Sequence, residues 1–162
     1  MAPKKKVAPS DMQTRDIRAA NFRGKFENEC GSVGVDSDGN PLNVDHIVEL
    51  TNILDHLKTT EMTEDGFQAV IVAANDPQLN GQVLTANANQ NKKIIIARVR
   101  REGFCVDEKD KAQMKLVRDT ANEIAAFLRT RGNGGDRSAA NLYSAVGHSA
   151  SAHVKAKPGK KK

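Results

Sequence analysis

Asp45 and His46 stand side by side in the stretch NVDHIVEL, a strongly polar pair inside an otherwise apolar run. In a half-buried strand of period two, Val44, His46 and Val48 share one face, and Asp45, Ile47 and Leu50 cannot all share the other, so the alternation breaks at the polar pair. Two chemistries suit such a pair. As structural residues the two satisfy each other at a strand end. As a site, Asp45 offers a metal ion a carboxylate and His46 is a general base, because an imidazole with an ordinary pKa near ~6.5 takes a proton from water at neutral pH. His56, beside Asp55, is a second candidate base or ligand, with an exposed helix face as its structural alternative. His148 and His153 lie in a Ser/Ala-rich stretch that reads as a flexible tail.

The elements that must hold these residues follow from spacing. Ser10 and Gln13 have the separation of a capping box and predict a helix over 11–29, with Ile17, Ala20 and Phe26 inward. Val33 and Val35, the turn-rich DSDGN and residues 42–50 read as a β-hairpin closed through Asp38 and Gly39, with Asp45 and His46 on or just past its second strand. Residues 51–60 suit a short helix with Ile53, Leu54 and Leu57 inward, and GFQAVIVAAND fits a helix and a buried strand equally. A loop through Asn80 then leads to a helix over 84–102, stopped by Gly103. Met114, Val117, Ala121, Ile124 and Leu128 form the apolar stripe of an amphipathic helix from about Asp107 to Gly132, and a weak helix over 139–146 follows.

A chain of 162 residues suits one domain able to bury a core. Hydrophobic residues make up 38% and aromatics 4%, so that core is mainly aliphatic. Cys30 and Cys105 are too few for a disulfide framework or a cysteine zinc site and read as reduced thiols. No apolar stretch suits a signal peptide or a membrane span, and a soluble, intracellular protein, cytoplasmic or nuclear, is the expectation. The net charge of +5, with lysine runs at 4–6 and 155–162, points to an anionic partner, for which nucleic acid is the natural candidate. The expected organisation is a basic disordered leader at 1–9, one domain at 10–147 and a basic disordered tail at 148–162.

Hairpin, asparagine-bearing loop and helix come in the order of a ββα-metal nuclease site. VDHIVEL followed by NGQVLTANANQNKK resembles an HNH endonuclease of the ββα-metal, or His-Me finger, family: Asn80 in the loop, Leu84 at the apolar position, Asn89 on the helix and Lys92 three residues later. Asn89 stands where that family more often has His. The resemblance implies an α+β fold, with a ββα-metal core flanked by N- and C-terminal helices. It makes Asp45 and Asn89 the metal ligands, His46 the general base, and Asn80 the residue that fixes the loop and the orientation of His46. Oxygen ligands imply Mg²⁺ or Mn²⁺. The implied activity is hydrolysis of phosphodiester bonds, in DNA first and RNA second, with Lys92 on a phosphate and Lys93, Arg98, Arg100 and Arg101 as further nucleic-acid contacts. The long interval between His46 and Asn80 implies an insertion looped out of the site. The alternative is a non-catalytic basic nucleic-acid-binding protein, in which the tails, Arg98, Arg100 and Arg101 touch phosphate and Asp45 and His46 are structural.

Overall fold

Leu42–His46 (β1) pairs antiparallel with Gly81–Thr85 (β2), with Leu42 opposite Thr85, Val44 opposite Val83 and His46 opposite Gly81. This two-stranded sheet belongs to a computed structural model that describes residues 34–132 and 134–157. The expected leader, the helix over 11–29, Cys30, Val33 and the last residues of the tail lie outside the described residues.

The pairing corrects the expected hairpin. The turn after Val35 does form: Asp36 Oδ1 accepts from the amides of Asp38 (2.9 Å) and Asn40 (2.8 Å), and Gly39 takes φ 83°. Beyond it, among the described residues, one bridge joins the two arms, Val35 to Pro41. Pro41 has no N–H with which to extend that ladder, and β1 finds its partner across the intervening helices instead.

Three helices lie between the strands. Leu50–Leu57 (α1) buries Leu50, Ile53 and Leu57. GFQAVIVAAND resolves as helix within Glu64–Ala74 (α2), started by Thr63, whose hydroxyl accepts from Gly66 N at 3.3 Å. Pro77–Asn80 (α3) is a single turn with proline at its start, where the missing N–H costs nothing, and with Asp76 as its cap. After β2 come Ala86–Glu102 (α4), Glu108–Arg131 (α5) and Gly134–Lys155 (α6). The helix expected over 84–102 thus starts two residues later. Leu84 belongs to β2, and Thr85 both ends the strand and caps α4, accepting from Ala88 N at 3.2 Å. Gly103 and Gly132 end α4 and α5 in the left-handed conformation, at φ 82° and 75°.

The core is centred on α5 and α6. The pairs Arg131–Asp136, Arg129–Ser144 and Asn122–Gly147 run in opposite directions along the two helices, which are therefore antiparallel. Met114, Val117, Ala121, Ile124 and Leu128 of α5 are buried, the stripe read from the sequence, and they meet Ala139, Leu142, Tyr143, Val146 and Ala150 of α6. α2 packs on this pair through Val70, Ala73 and Ala74, and the fully buried Tyr143 hydroxyl donates to Val70 O at 2.8 Å. The folded part extends past the expected boundary at 147: α6 continues to Lys155, so His148 and His153 are helical rather than part of a tail. The fold is α+β and mostly helical. No helix among the described residues is long and apolar enough to cross a membrane.

Candidate active site

Consecutive residues of a strand face opposite sides, and Asp45 and His46, the last two residues of β1, do so. Asp45 turns toward α4, where Lys92 forms an ion pair with its carboxylate. The same ammonium donates to the His46 carbonyl and lies 3.9 Å from Glu49 Oε1. Lys92 is 2% exposed, against 17% for Asp45 and 21% for Glu49. A buried ammonium costs several kcal/mol unless oxygens surround it, and here two carboxylates and a carbonyl do. In this geometry the Lys92 charge is engaged inside the protein by these three oxygens.

Asn89 precedes Lys92 by three residues and so shares the face of α4 that looks toward β1. Its Oδ1 is buried and has no hydrogen-bond partner, as is the Nε2 of Gln82, the residue opposite Asp45 in the sheet. Such unpaired buried polar atoms are uncommon in folded proteins.

His46 points the other way. Its Nε2 lies 3.0 Å from Oδ1 of Asn75, the residue that ends α2. Asn75 is 4% exposed, and its Nδ2 donates to Ile71 O at 3.2 Å. Asn80, fully buried, holds the chain just beyond His46. Its Oδ1 accepts from Val48 N (2.7 Å), its Nδ2 donates to Val48 O (3.1 Å) and Ala74 O (3.0 Å), and its backbone carbonyl accepts from Ile47 N (3.0 Å). Asn80 thus clamps the exit from β1, while the side chain that touches the imidazole is that of Asn75.

The remaining cations expected at nucleic acid are dispersed along α4. Arg98 binds the fully buried Asp110 and lies 3.7 Å from Asp107, and Arg100 pairs with Asp55 of α1. Burial raises the Asp110 carboxyl, but the Arg98 bond, the Val106 amide and the Arg98 charge outweigh it and leave the group below the ordinary carboxylate value. Arg98 and Arg100 thus tie α4 to the start of α5 and to α1. Lys93 is exposed, and Arg101, also exposed, lies 3.1 Å from its neighbour Glu102.

A separate cavity of about 170 Å³ opens between α1, α4, α5 and α6, with Ile96, Met114 and Val117 among its lining and His56 and His153 on its wall. Burial pushes the pKa of both imidazoles down, and the Arg100 charge adds to the effect on His153. Among the described residues no three His, Cys, Asp or Glu side chains are placed to hold a metal ion together.

No family model, curated protein or solved structure matches the chain. The site is therefore read from its own geometry. Asp45, His46, Asn80 and Lys92 come together at the end of β1, with Asn89 one helical turn away. Asn75 and Glu49 join them without having been singled out in the sequence. The only signal for Asn75 was its place before Asp76 and Pro77, a helix-stop pattern that says nothing about an imidazole.

Proposed function

We propose that the chain is a metal-dependent endonuclease of the HNH kind, hydrolysing phosphodiester bonds in DNA first and RNA second. The observation that carries this reading is the order and contact of the parts. β1 ends in Asp45 and His46, β2 pairs antiparallel with it, and α4 follows β2 at once, bringing Lys92 against Asp45 with Asn89 one turn earlier on the same helix. The intervening helices do not interrupt that unit.

The residues present fit a hard cation. The Asp45 carboxylate and the buried, unpartnered Oδ1 of Asn89 are oxygen donors of the type that Mg²⁺ and Mn²⁺ prefer. Once bound, such an ion would supply stabilisation of the charge that develops on a phosphate. The chain's own residues do the rest: His46 takes a proton from water, Asn80 and Asn75 hold the strand end and the ring, and exposed Lys93 faces outward for a phosphate. With only one carboxylate and one amide, metal affinity is low until substrate oxygens complete the shell.

A second reading, a nucleic-acid-binding protein without catalysis, is favoured by one feature: the Lys92 ammonium already neutralises Asp45. A plasmid-nicking assay with Mg²⁺, Mn²⁺ or EDTA separates the two. Cleavage that needs metal and falls roughly 10²-fold or more in His46→Ala supports the nuclease. DNA retention without nicking under any of these ions supports the binding protein.

A further inference from the structure

We infer that the cavity between α1, α4, α5 and α6 is a binding site for a neutral, single-ring aromatic molecule that carries an O–H or N–H donor. The inference is independent of the nuclease reading, since Asp45, His46 and Asn89 do not line this cavity. Its floor is apolar: Ile96 of α4, Met114 and Val117 of α5 and Ala150 of α6 are all buried. A volume of about 170 Å³ is close to that of the apolar cavity of ~150 Å³ known to take up benzene, so the room is that of one ring. The Met114 thioether suits an aromatic neighbour.

Around this floor stand four polar groups, the Asn52 amide and His56 imidazole of α1 and the Ser149 hydroxyl and His153 imidazole of α6. Among the described residues none of these four side chains has a hydrogen-bond partner, and Nδ1 of His153 is buried without one. Polar groups removed from water normally find partners. Two half-buried imidazoles that have none, on the wall of one cavity, are groups that a ligand can satisfy. Burial, joined at His153 by the Arg100 charge, holds both below the ordinary histidine value. At neutral pH each ring is therefore uncharged and offers one nitrogen as an acceptor.

The charges on the rim select a neutral ligand. Asp55 pairs with Arg100 and lies 3.5 Å from Lys58, and Glu49 lies 3.9 Å from Lys92. An ion entering here competes with one of these pairs. A neutral ring instead buries its apolar body against Ile96, Met114 and Val117 and donates its hydrogen to an imidazole nitrogen.

The test uses the full-length, ¹⁵N-labelled chain at neutral pH, titrated with phenol and separately with toluene, which has nearly the same shape without the hydroxyl. Phenol should shift the amide signals of residues 52–56, 96–100, 114–117 and 149–153 in one saturable process. Its dissociation constant should be on the order of 1 mM, and toluene should bind more weakly. Ala150→Met, which lays a longer side chain across the floor, and Ser149→Leu at the half-buried rim should each abolish the response. Replacing both imidazoles, His56→Leu with His153→Leu, should remove the preference for phenol over toluene. No saturable shift at these residues in the wild type, with phenol well above that concentration, overturns the inference and needs no variant to fold. So does toluene binding as tightly as phenol to the wild type, or phenol binding undiminished in both folded filling variants.

Discussion

Lys92→Met removes the ammonium that Asp45, Glu49 and the His46 carbonyl surround while keeping most of its buried stem. Taking one partner from a fully buried ion pair costs about 3–5 kcal/mol, because the other charge is left without compensation. Here the carboxylates keep 17% and 21% of their exposure and regain some water, so the expected cost is about 2–3 kcal/mol. For a folded unit of this size that is a fall in Tm of roughly 5–10 °C. The assay is a double-mutant cycle with Asp45→Asn, read by urea melts at neutral pH. If the pair is what holds Lys92, the second substitution costs much less once the first has been made, with a coupling of about 1–3 kcal/mol. Additivity within ~0.5 kcal/mol would show that Lys92 is held by the packing of its stem, and the electrostatic account of the site would be wrong.

Three further outcomes follow from the same structure. Asp110→Asn should cost about 2–3 kcal/mol at neutral pH in a denaturant melt, since Arg98 and the Val106 amide lose a buried carboxylate. The folded pKa of Asp110 is lowered, so its contribution is present above the unfolded value near ~3.9 and lost as pH falls through the folded one; the variant should lack that part of the acid sensitivity. His56 and His153 are also lowered, so stability should be full above about pH 6.5 and decline below it as the unfolded chain takes up protons first. A His56→Gln, His153→Gln double variant should flatten that decline in thermal melts. Gly135→Ala should destabilise by about 1–3 kcal/mol despite better helix propensity, because a Cβ there falls 2.9 Å from the Asp65 backbone carbon; Gly134→Ala, with nothing within 4 Å, should not.

What the sequence revealed depended on whether the signal was local. The stripe of α5 was plain because Met114, Val117, Ala121, Ile124 and Leu128 repeat at helical spacing, and Gly103 and Gly132 marked the ends of α4 and α5. α6 was read too short because much of its buried face is Ala139, Ala140, Gly147 and Ala150, small residues that carry little hydrophobic signal but let helices approach closely. The pairing of β1 with β2 was hidden for another reason. Strand partners distant in sequence leave no local pattern, and GQVLT is short enough for Leu84 to pass as the first apolar residue of the helix. In the site, the types and order of Asp45, His46, Asn80, Asn89 and Lys92 were legible. Their contacts were not: the sequence placed Lys92, Arg98 and Arg100 on phosphate, whereas the fold sets each against a carboxylate.

The segment between the strands changes how the site is understood. As a looped-out insertion it would add only closure entropy, which grows slowly with length. Instead α1 and α2 bury Ile53, Leu57, Val70, Ala73 and Ala74 in the common core, and that burial offsets the cost of ordering the segment. Its polar groups then fix the end of β1 from two directions: the Ala74 carbonyl receives Asn80 Nδ2, and Asn75 receives His46. A two-stranded sheet is marginal by itself. Here the end of β1 is fastened to a helix packed against α6, through a hydroxyl bond from Tyr143 to Val70. His46 is therefore tied through Asn75 to α2, and α2 in turn to α6, so the helical segment between the strands is part of what supports the end of β1.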